Sequence, residues 1–539
     1  MSLETYSFPS PSKFFNKLVW DYIHHKLPRN LYSFFPNKVG FENILLQANN
    51  VKWNRTLLVQ SLINQANTVS NTSANTINNI KTLSQDNAYT ITTGHQLCLF
   101  TGPLYFTLKI IAVIQLSKKI QNQFPEYRII PVFWMATEDH DIDEINHFYF
   151  KDKLFQWSIK TDGTPIFSLT TQGLEFVLEE MKNSGLFTNE HLHLFENAYI
   201  KHTSYIDATR YLLNELFGKE GLIIIDPNER PFKENFKDIF FNDIFENSIF
   251  KEIEPTTKWL QQNHYHIQVK PPLINTFLIE NNKRYLIQKQ EHQFTLKHHS
   301  KHFNEKELKV LLNSHPEKFS TNVLLRPLYQ QRILPNIAYI GGSAEIAYWI
   351  ELKKCFDKHN VFYPIIMQRP ILFFIPQYIQ QKILKLNINE LSFFNQEKNK
   401  LINTVLEKYN LYIHLQKEKI EINEIFQKLI HQTESIDKSL VPYVNAEHTK
   451  VLKFIDTLEQ KLNKSIKQKN DHLVKQIDDL YQFLFPNNTP QDRIFNISYI
   501  SKILGFTSIQ EFIKELLTQE LLDTNTLFSF KIIKNKQDN

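Results

Sequence analysis

The chain has 539 residues, of which 42% are hydrophobic and 22% charged, the composition of a soluble globular protein. Its length exceeds one ordinary core, so about two to four structural units are expected. Sixty-one basic against 56 acidic side chains leave a net charge of +5. That is too weak and too interspersed for a nucleic-acid surface, and no apolar run approaches a membrane span.

Two cysteines, Cys98 and Cys355, cannot build a disulfide framework, so a reducing, cytoplasmic location is expected. The first residues lack the basic-then-apolar pattern of a signal peptide. Cys98 sits in an apolar context, LCLF, and reads as a small buried hydrophobe before it reads as a nucleophile.

Residues 1 to about 87 carry apolar residues at helical spacing in Asn16–His25, Thr56–Ile63 and Ala74–Leu83, which predicts a helical N-terminal layer. Ala88–Thr93 alternates and is β-branched, a first strand. A turn containing Gly94 and Gly102 follows, then Pro103, suited to a first helical turn, and an apolar helix over Leu104–Ile120. Ile129–Met135 is apolar throughout, as a central parallel strand should be. From about 148 to 203 short aromatic strand-like pieces surround a hairpin-type turn at Asp162–Gly163, followed by a helix near Leu174–Met181. Tyr205–Phe217 is helical, Gly221–Pro227 is a buried strand, and helix returns over Phe232–Gln261. Between 264 and 315 come short strands, among them Phe277–Glu280 and Arg284–Gln288. Asn336–Ile340 is a strand that runs into Gly341-Gly342-Ser343 and a helix over Ala344–Phe356. Val361–Met367 and Ile371–Ile375 are candidate last strands.

Strand signals stop at about 376. Val451, Ile455, Leu458, Leu462, Ile466, Leu473, Ile477, Leu480 and Leu484 trace a heptad-like seam with one stutter. This is either a bundle helix or, preferred here, a coiled-coil arm that pairs with the helix of about 390–409 or with a second subunit. Asn496–Leu517 reads as a short helical tail. The predicted fold is therefore α/β. A Rossmann-like parallel-sheet core spans 1–375, with insertions at about 148–203 and 264–315. An α-helical coiled-coil domain occupies 376–490. A C-terminal helical segment, 491–539, packs back on core or arm.

Three loops should converge at the carboxyl edge of such a sheet. The first is Thr93-Gly94-His95-Gln96 with Thr101-Gly102-Pro103, a glycine turn before a helix that offers N–H groups to an anion. It is neither GxGxxG nor GxxxxGK[ST]. The second runs from Glu138 to His147 and packs five carboxylates (Glu138, Asp139, Asp141, Asp143, Glu144) with two histidines. It is a surface acidic turn or, because it follows a buried strand directly, a functional loop. If helical, it would set His140, Glu144 and His147 on one face as metal ligands. HEXXH and nearby thiolates are absent, so no metal is assigned. The third runs from Ile340 to Trp349, with Glu345 and Tyr348 able to enter the same cleft and Trp349 read as packing. Arg326 and Arg369 either hold a carboxylate bidentately or form structural ion pairs. No Gly-x-Ser-x-Gly elbow occurs.

These blocks resemble a known family, the bacillithiol-biosynthesis cysteine-adding enzymes. The matching residues are TGHQ-x3-FTGPLY (Thr93–Tyr105), PVFW-x2-EDHD-x-DE-x-NH (Pro131–His147), LLRPLYQ (Leu324–Gln330) and IGG-x2-E-x2-YW-x-ELK (Ile340–Lys353), and the likeness extends over nearly the whole chain. The resemblance implies a core like that of class I aminoacyl-tRNA synthetases and nucleotidylyltransferases, two connecting-peptide insertions, and a homodimer formed through the coiled-coil arm. It implies a ligase that joins the carboxyl of L-cysteine to the amine of glucosaminyl-malate in the last step of bacillithiol synthesis. On this reading His95, Gln96, Asp139, His140 and Asp141 are the catalytic candidates. Gly94, Thr101, Gly102, Glu138, Glu144, Arg326, Gly341, Gly342, Glu345 and Tyr348 line the substrate or nucleotide pocket. ATP is suggested by the fold alone, since the synthetases' lysine-rich second signature and paired histidines are absent. The alternatives are a metal-dependent hydrolase using His140, Glu144 and His147, and a non-catalytic coiled-coil scaffold.

Overall fold

A computed structural model describes residues 1–7, 15–161, 163–291, 293–522 and 529–534. The chain divides into two units, 1–374 with 492–538, and 375–491.

The first unit is built on a five-stranded parallel sheet. Across the sheet the strands run Ile365–Gln368, Asn336–Gly341, Ala88–His95, Arg128–Met135 and Ile223–Ile225. Numbered by sequence, that order is 5-4-1-2-3, the Rossmann arrangement. Chain direction across the sheet reverses between the first and fourth strands, and a crevice opens there at their carboxyl ends. The expected apolar runs are these strands: Val132, Phe133, Ile223 and Ile340 are buried, as a sheet covered on both faces requires. The helix after the first strand spans Tyr105–Gln123 and buries Leu108, Ile110, Ile111 and Val113. Pro103 stands two residues ahead of its first turn.

Several expectations are corrected. Residues 1–87 are not wholly helical, because Ser2–Ser7 is a strand paired antiparallel with Ser529–Lys534. Leu372–Ile375 joins that three-stranded sheet rather than the parallel one. Strand structure therefore returns after 376. Ser2–Ser7 finds its partner more than 500 residues away in Ser529–Lys534, which no local pattern announces. The predicted long helix after Phe232 is broken into Arg230–Glu234, Lys237–Glu246 and Ser248–Gln262, with Asn247 left-handed at φ 53° between the last two. Asp162 lies outside the described residues. The hairpin seen joins His147–Phe150 to Lys153–Gln156, and Lys151 at its turn has φ 56°.

Between 276 and 321 a second, antiparallel sheet orders its strands His302–Phe303, Gln293–Leu296, Lys283–Gln290, Thr276–Glu280 and Phe319–Thr321. Buried Asp243 ties it to the preceding helices. Its carboxylate accepts from Asn275 N at 2.7 Å and Thr276 Oγ1 at 2.7 Å.

The second unit is helical. Gln416–Ile436 packs against Val441–Lys469 as a hairpin. Lys419 bridges Asp456 at 2.7 Å and Glu459 at 3.0 Å, and Asn463 exchanges two 2.9 Å bonds with the backbone of Ile413. The seam thus continues through Asp471–Leu484 after a break at Asn470, but its N-terminal half faces Gln416–Ile436, not the helix of 390–409. The latter, Lys398–Lys408, packs on Asp471–Leu484. Among the described residues no helix is long and apolar enough to cross a membrane.

Candidate active site at the sheet's switch point

A cavity of about 670 Å³ opens where the first and fourth strands diverge. All five parallel strands contribute from their carboxyl ends: Gly94, His95 and Gln96; Trp134, Glu138 and Asp139; Pro227; Gly342 and Glu345; and Arg369. The antiparallel insertion adds Phe277, Arg284 and Thr321.

At its base is an ion pair. Lys109, on the helix after the first strand, is buried and donates to Gly94 O at 2.6 Å and to Glu345 Oε2 at 2.8 Å. The same oxygen accepts from Gly342 N at 2.8 Å, and Oε1 accepts from Tyr339 OH. Burial pushes the Glu345 carboxyl up, but Lys109 and these donors outweigh it and hold it at about 2. Burial lowers Lys109 against the pull of Glu345. Lys109 thereby ties the first glycine turn to the third loop. Gly94 is glycine for space: a Cβ there would stand 3.2 Å from Arg326 Nη1.

His95 is half-buried beside Lys109, and desolvation of its ring and the ammonium both lower it to about 4. The ring is therefore neutral, with Nδ1–H donating to Gln96 O at 2.9 Å and Nε2 accepting from Tyr105 OH at 2.9 Å. Gln96 Nε2 donates to Asp139 Oδ2 at 2.8 Å and joins the first loop to the second. Asp139 Oδ1 accepts from His140 N at 2.8 Å and faces Arg284 at 4.0 Å. Glu138 is buried, paired with Lys233, and accepts from Thr321 Oγ1 at 3.1 Å.

The acid–histidine stretch is not helical, so His140, Glu144 and His147 share no helical face. Among the described residues no group of three His, Cys, Asp or Glu side chains is placed to hold a metal ion. Glu144 lines the cavity; His140 and Asp141 do not. Nδ1 of His140 accepts from Arg284 Nη1 at 3.2 Å, and its ring lies 6.1 Å from Phe277, while Asp141 is exposed. Burial and Arg284 both lower His140, and the arginine's hydrogen bond occupies the lone pair on Nδ1.

Thr101, Gly102 and Gly341 also stand behind the lining. Gly102 shapes the turn: its φ is +55° and a Cβ would meet Cys98 Cβ at 2.5 Å. Cys98 is a buried thiol pushed up to about 12 by burial, in keeping with a packing role. Trp349 stacks on Tyr339 at 4.7 Å as a packing residue. Arg326 is committed to Gln330 Oε1 at 3.1 Å, Tyr348 OH at 3.0 Å and Tyr339 OH at 3.3 Å. Arg369 forms a buried pair with Asp492 at 2.6 Å.

Sequence reasoning missed Lys109, Arg284, Tyr105 and Arg493. A signal existed for Lys109, a lone charge in the otherwise apolar run FTLKIIAVI. Tyr105 closes the TGHQ-x3-FTGPLY block, which was the signal for it; none existed for Arg284 and Arg493.

The fold and cavity define a Rossmann-like α/β protein with a candidate site, lined by five cationic side chains, at the switch point. Residues 1–370 match the family model "Bacillithiol biosynthesis BshC, N-terminal Rossmann-like domain", and residues 372–523 match "Bacillithiol biosynthesis BshC, C-terminal coiled-coil domain". The chain belongs to this family, and the resemblance carried by the TGHQ and EDHD blocks is borne out. It is 38% identical over 500 residues to "Putative cysteine ligase BshC" of Flavobacterium johnsoniae, covering 91% of this chain and 94% of that one. It is 39% identical over 503 residues to the protein of the same name from Flavobacterium psychrophilum (92% and 94% covered), and 28% identical over 509 to that of Bacillus cereus (90% and 94%).

Proposed function

We propose that the chain is a cysteine ligase of bacillithiol biosynthesis that forms an amide between the carboxyl of L-cysteine and the amine of glucosaminyl-malate. The observation that carries the reading is the meeting of three sequence-distant blocks at one cavity. Gln96 bonds Asp139 across it, and Lys109 bonds both Gly94 and Glu345.

The chemistry assigns roles. An amine attacks only as the free base, so its ammonium must be docked and relieved of a proton. Asp139 and Glu144 are the carboxylates on the cavity wall that serve this, with Gln96 and Arg284 orienting Asp139. His140 acts through Arg284 rather than as the base. His95, neutral and bonded at both nitrogens, positions Tyr105 and Gln96. Glu345 and Tyr348 shape the opposite wall. The exposed Ile425, Leu429, Ile436, Phe454 and Leu458 give the helical hairpin an apolar face that suits a second copy of the chain. A cytoplasmic homodimer is the corresponding assembly.

The test is incubation of the purified protein with cysteine and glucosaminyl-malate, with and without ATP, followed by mass spectrometry. The condensed thiol, lighter by one water than the sum of its parts, is expected. Unchanged substrates under both conditions, with correctly folded protein, would refute the reading.

A further inference from the structure

Five cationic side chains line the cavity: Lys109, Arg284, Arg326, Arg369 and Arg493. Four are engaged. Lys109 is spent on Glu345 and the Gly94 carbonyl, and Arg326 on two tyrosine hydroxyls and Gln330. Arg284 is held by Ser320 Oγ at 2.8 Å, by Thr321 O and by His140. Arg369 is held by Asp492, which is fully buried. Arg493 differs: it is exposed at the cavity mouth and has no hydrogen bond or ion pair among the described residues.

Arg369 and Arg493 belong together. The Arg369 guanidinium lies 4.9 Å from the centre of the Tyr105 ring, and Arg493 lines the same cavity as both. Asp492 precedes Arg493 directly, so one short segment both fixes Arg369 and presents the second guanidinium. The first turn of helix Ser343–Glu351 borders the same part of the cavity through Gly342, Ser343 and Ala344. Glu345 already caps that helix end, so the two guanidiniums carry the argument: their fork geometry and charge form a site for a carboxylate. The sequence reading offered Arg326 and Arg369 for this task; Arg326 is committed through both Nη atoms to Gln330 and two tyrosine hydroxyls, whereas Arg369 uses Nη1 alone, for Asp492 and the Pro370 carbonyl.

We propose that Arg369 and Arg493, with Asp492 as positioning residue, form the clamp that takes a carboxylate of the acceptor's dicarboxylate group. This rests on the ligase reading for the identity of the acceptor, but not for the existence of the site. A solvated surface arginine is the competing account of Arg493. The clamp predicts selectivity: dicarboxylates should depend on it and cysteine should not.

The experiment is isothermal titration of the full-length protein with L-malate, glucosaminyl-malate and L-cysteine, for the wild type and for Arg493→Gln, Arg493→Lys and Asp492→Asn. Arg493 is exposed, so its variants keep the fold, and the thermal midpoint checks this. Loss of one charge-assisted bidentate contact weakens binding by about tenfold or more. Arg493→Gln should therefore weaken malate and glucosaminyl-malate at least about tenfold and leave cysteine within about twofold, with Arg493→Lys intermediate. Asp492→Asn should weaken the same two ligands even where its thermal midpoint is unchanged. Wild-type protein that binds neither dicarboxylate, or Arg493→Gln that weakens all three ligands alike or none, overturns the clamp. Selective loss in a protein that forms no amide keeps the clamp and refutes the ligase. Amide formation with an unchanged acceptor KM in Arg493→Gln does the reverse.

Discussion

The ion pair under the cavity makes a quantitative demand. Lys109 has a side chain 1% exposed and Glu345 one 24% exposed, 2.8 Å apart. Holding the carboxyl at about 2 rather than its ordinary 4.5 stabilises the fold by roughly 3 kcal/mol at neutral pH, and the partial exposure of Glu345 makes this an upper value. Its folded value is depressed, so the contribution is present in full above pH 4.5 and is lost as pH falls towards 2. Glu345→Gln keeps one acceptor oxygen for the Gly342 N–H, turns an amide N–H donor toward the Tyr339 phenol oxygen, and strands the Lys109 ammonium. Lys109→Met strands the carboxylate. Breaking a buried pair from one side costs about 3–5 kcal/mol, whereas replacing both charges costs much less than the two losses together. All six tryptophans (Trp20, Trp53, Trp134, Trp157, Trp259 and Trp349) fall in the Rossmann-like unit, so tryptophan fluorescence in urea reports that unit without the helical arm. Each single variant should lose about 2–4 kcal/mol at pH 7, and the double variant about 2 kcal/mol less than their sum. Additivity within about 0.5 kcal/mol, or a silent Glu345→Gln, would refute the argument.

Four further outcomes follow. Asp139→Asn and Gln96→Ala should each lower turnover about a hundredfold or more while moving the thermal midpoint by only a few degrees; equal losses of fold and activity would count against their roles. Gly102→Ala should destabilise by about 2 kcal/mol, because its positive φ and the Cys98 contact both resist a methyl; calorimetry with an unchanged midpoint would contradict this. His95 sits at about 4 against 6.5, so the unfolded chain alone binds its proton between those values and stability falls as pH drops. Moving from pH 7.5 to 5 should cost wild type about 2 kcal/mol more than His95→Gln, and parallel urea curves for the two would dismiss it. In the arm, Leu429→Glu with Phe454→Glu should yield monomers by analytical ultracentrifugation with helical circular dichroism intact; a persistent dimer would place the interface elsewhere.

The parallel core was legible because its strands are buried on both faces. Ala88–Thr93 reads as an alternating β-branched run, Ile129–Met135 as continuously apolar and Asn336–Ile340 as a strand, and a glycine-containing turn leaves the first and third of them. The helix Tyr205–Phe217 was legible to the residue for the same local reason. Ser2–Ser7 and Ser529–Lys534 were not, since each is short and stabilised by a partner remote in sequence. The seam of Val451–Leu484 showed as periodicity, but periodicity states that a face is buried without saying by what. Helix Gln416–Ile436 has no buried residue of its own to announce it.

At the site, Gly94, Gln96 and Asp139 stood out because glycine scarcity and clustered acids are visible in one dimension. Arg284, Arg369 and Arg493 reach the cavity from an insertion, from the strand end after Gln368 and from the chain beyond the arm. Their function is a matter of convergence, and convergence leaves no mark on spacing. Lys109 is the intermediate case, a charge that breaks an apolar face and that the fold answers with Glu345.

The most direct test of the ligase assignment is the thiol profile of a cell that makes bacillithiol and lacks this gene, measured by mass spectrometry after thiol labelling. The account predicts no bacillithiol and accumulated glucosaminyl-malate, reversed by the wild-type gene and not by Asp139→Asn. Unchanged bacillithiol in the deletion strain would contradict it.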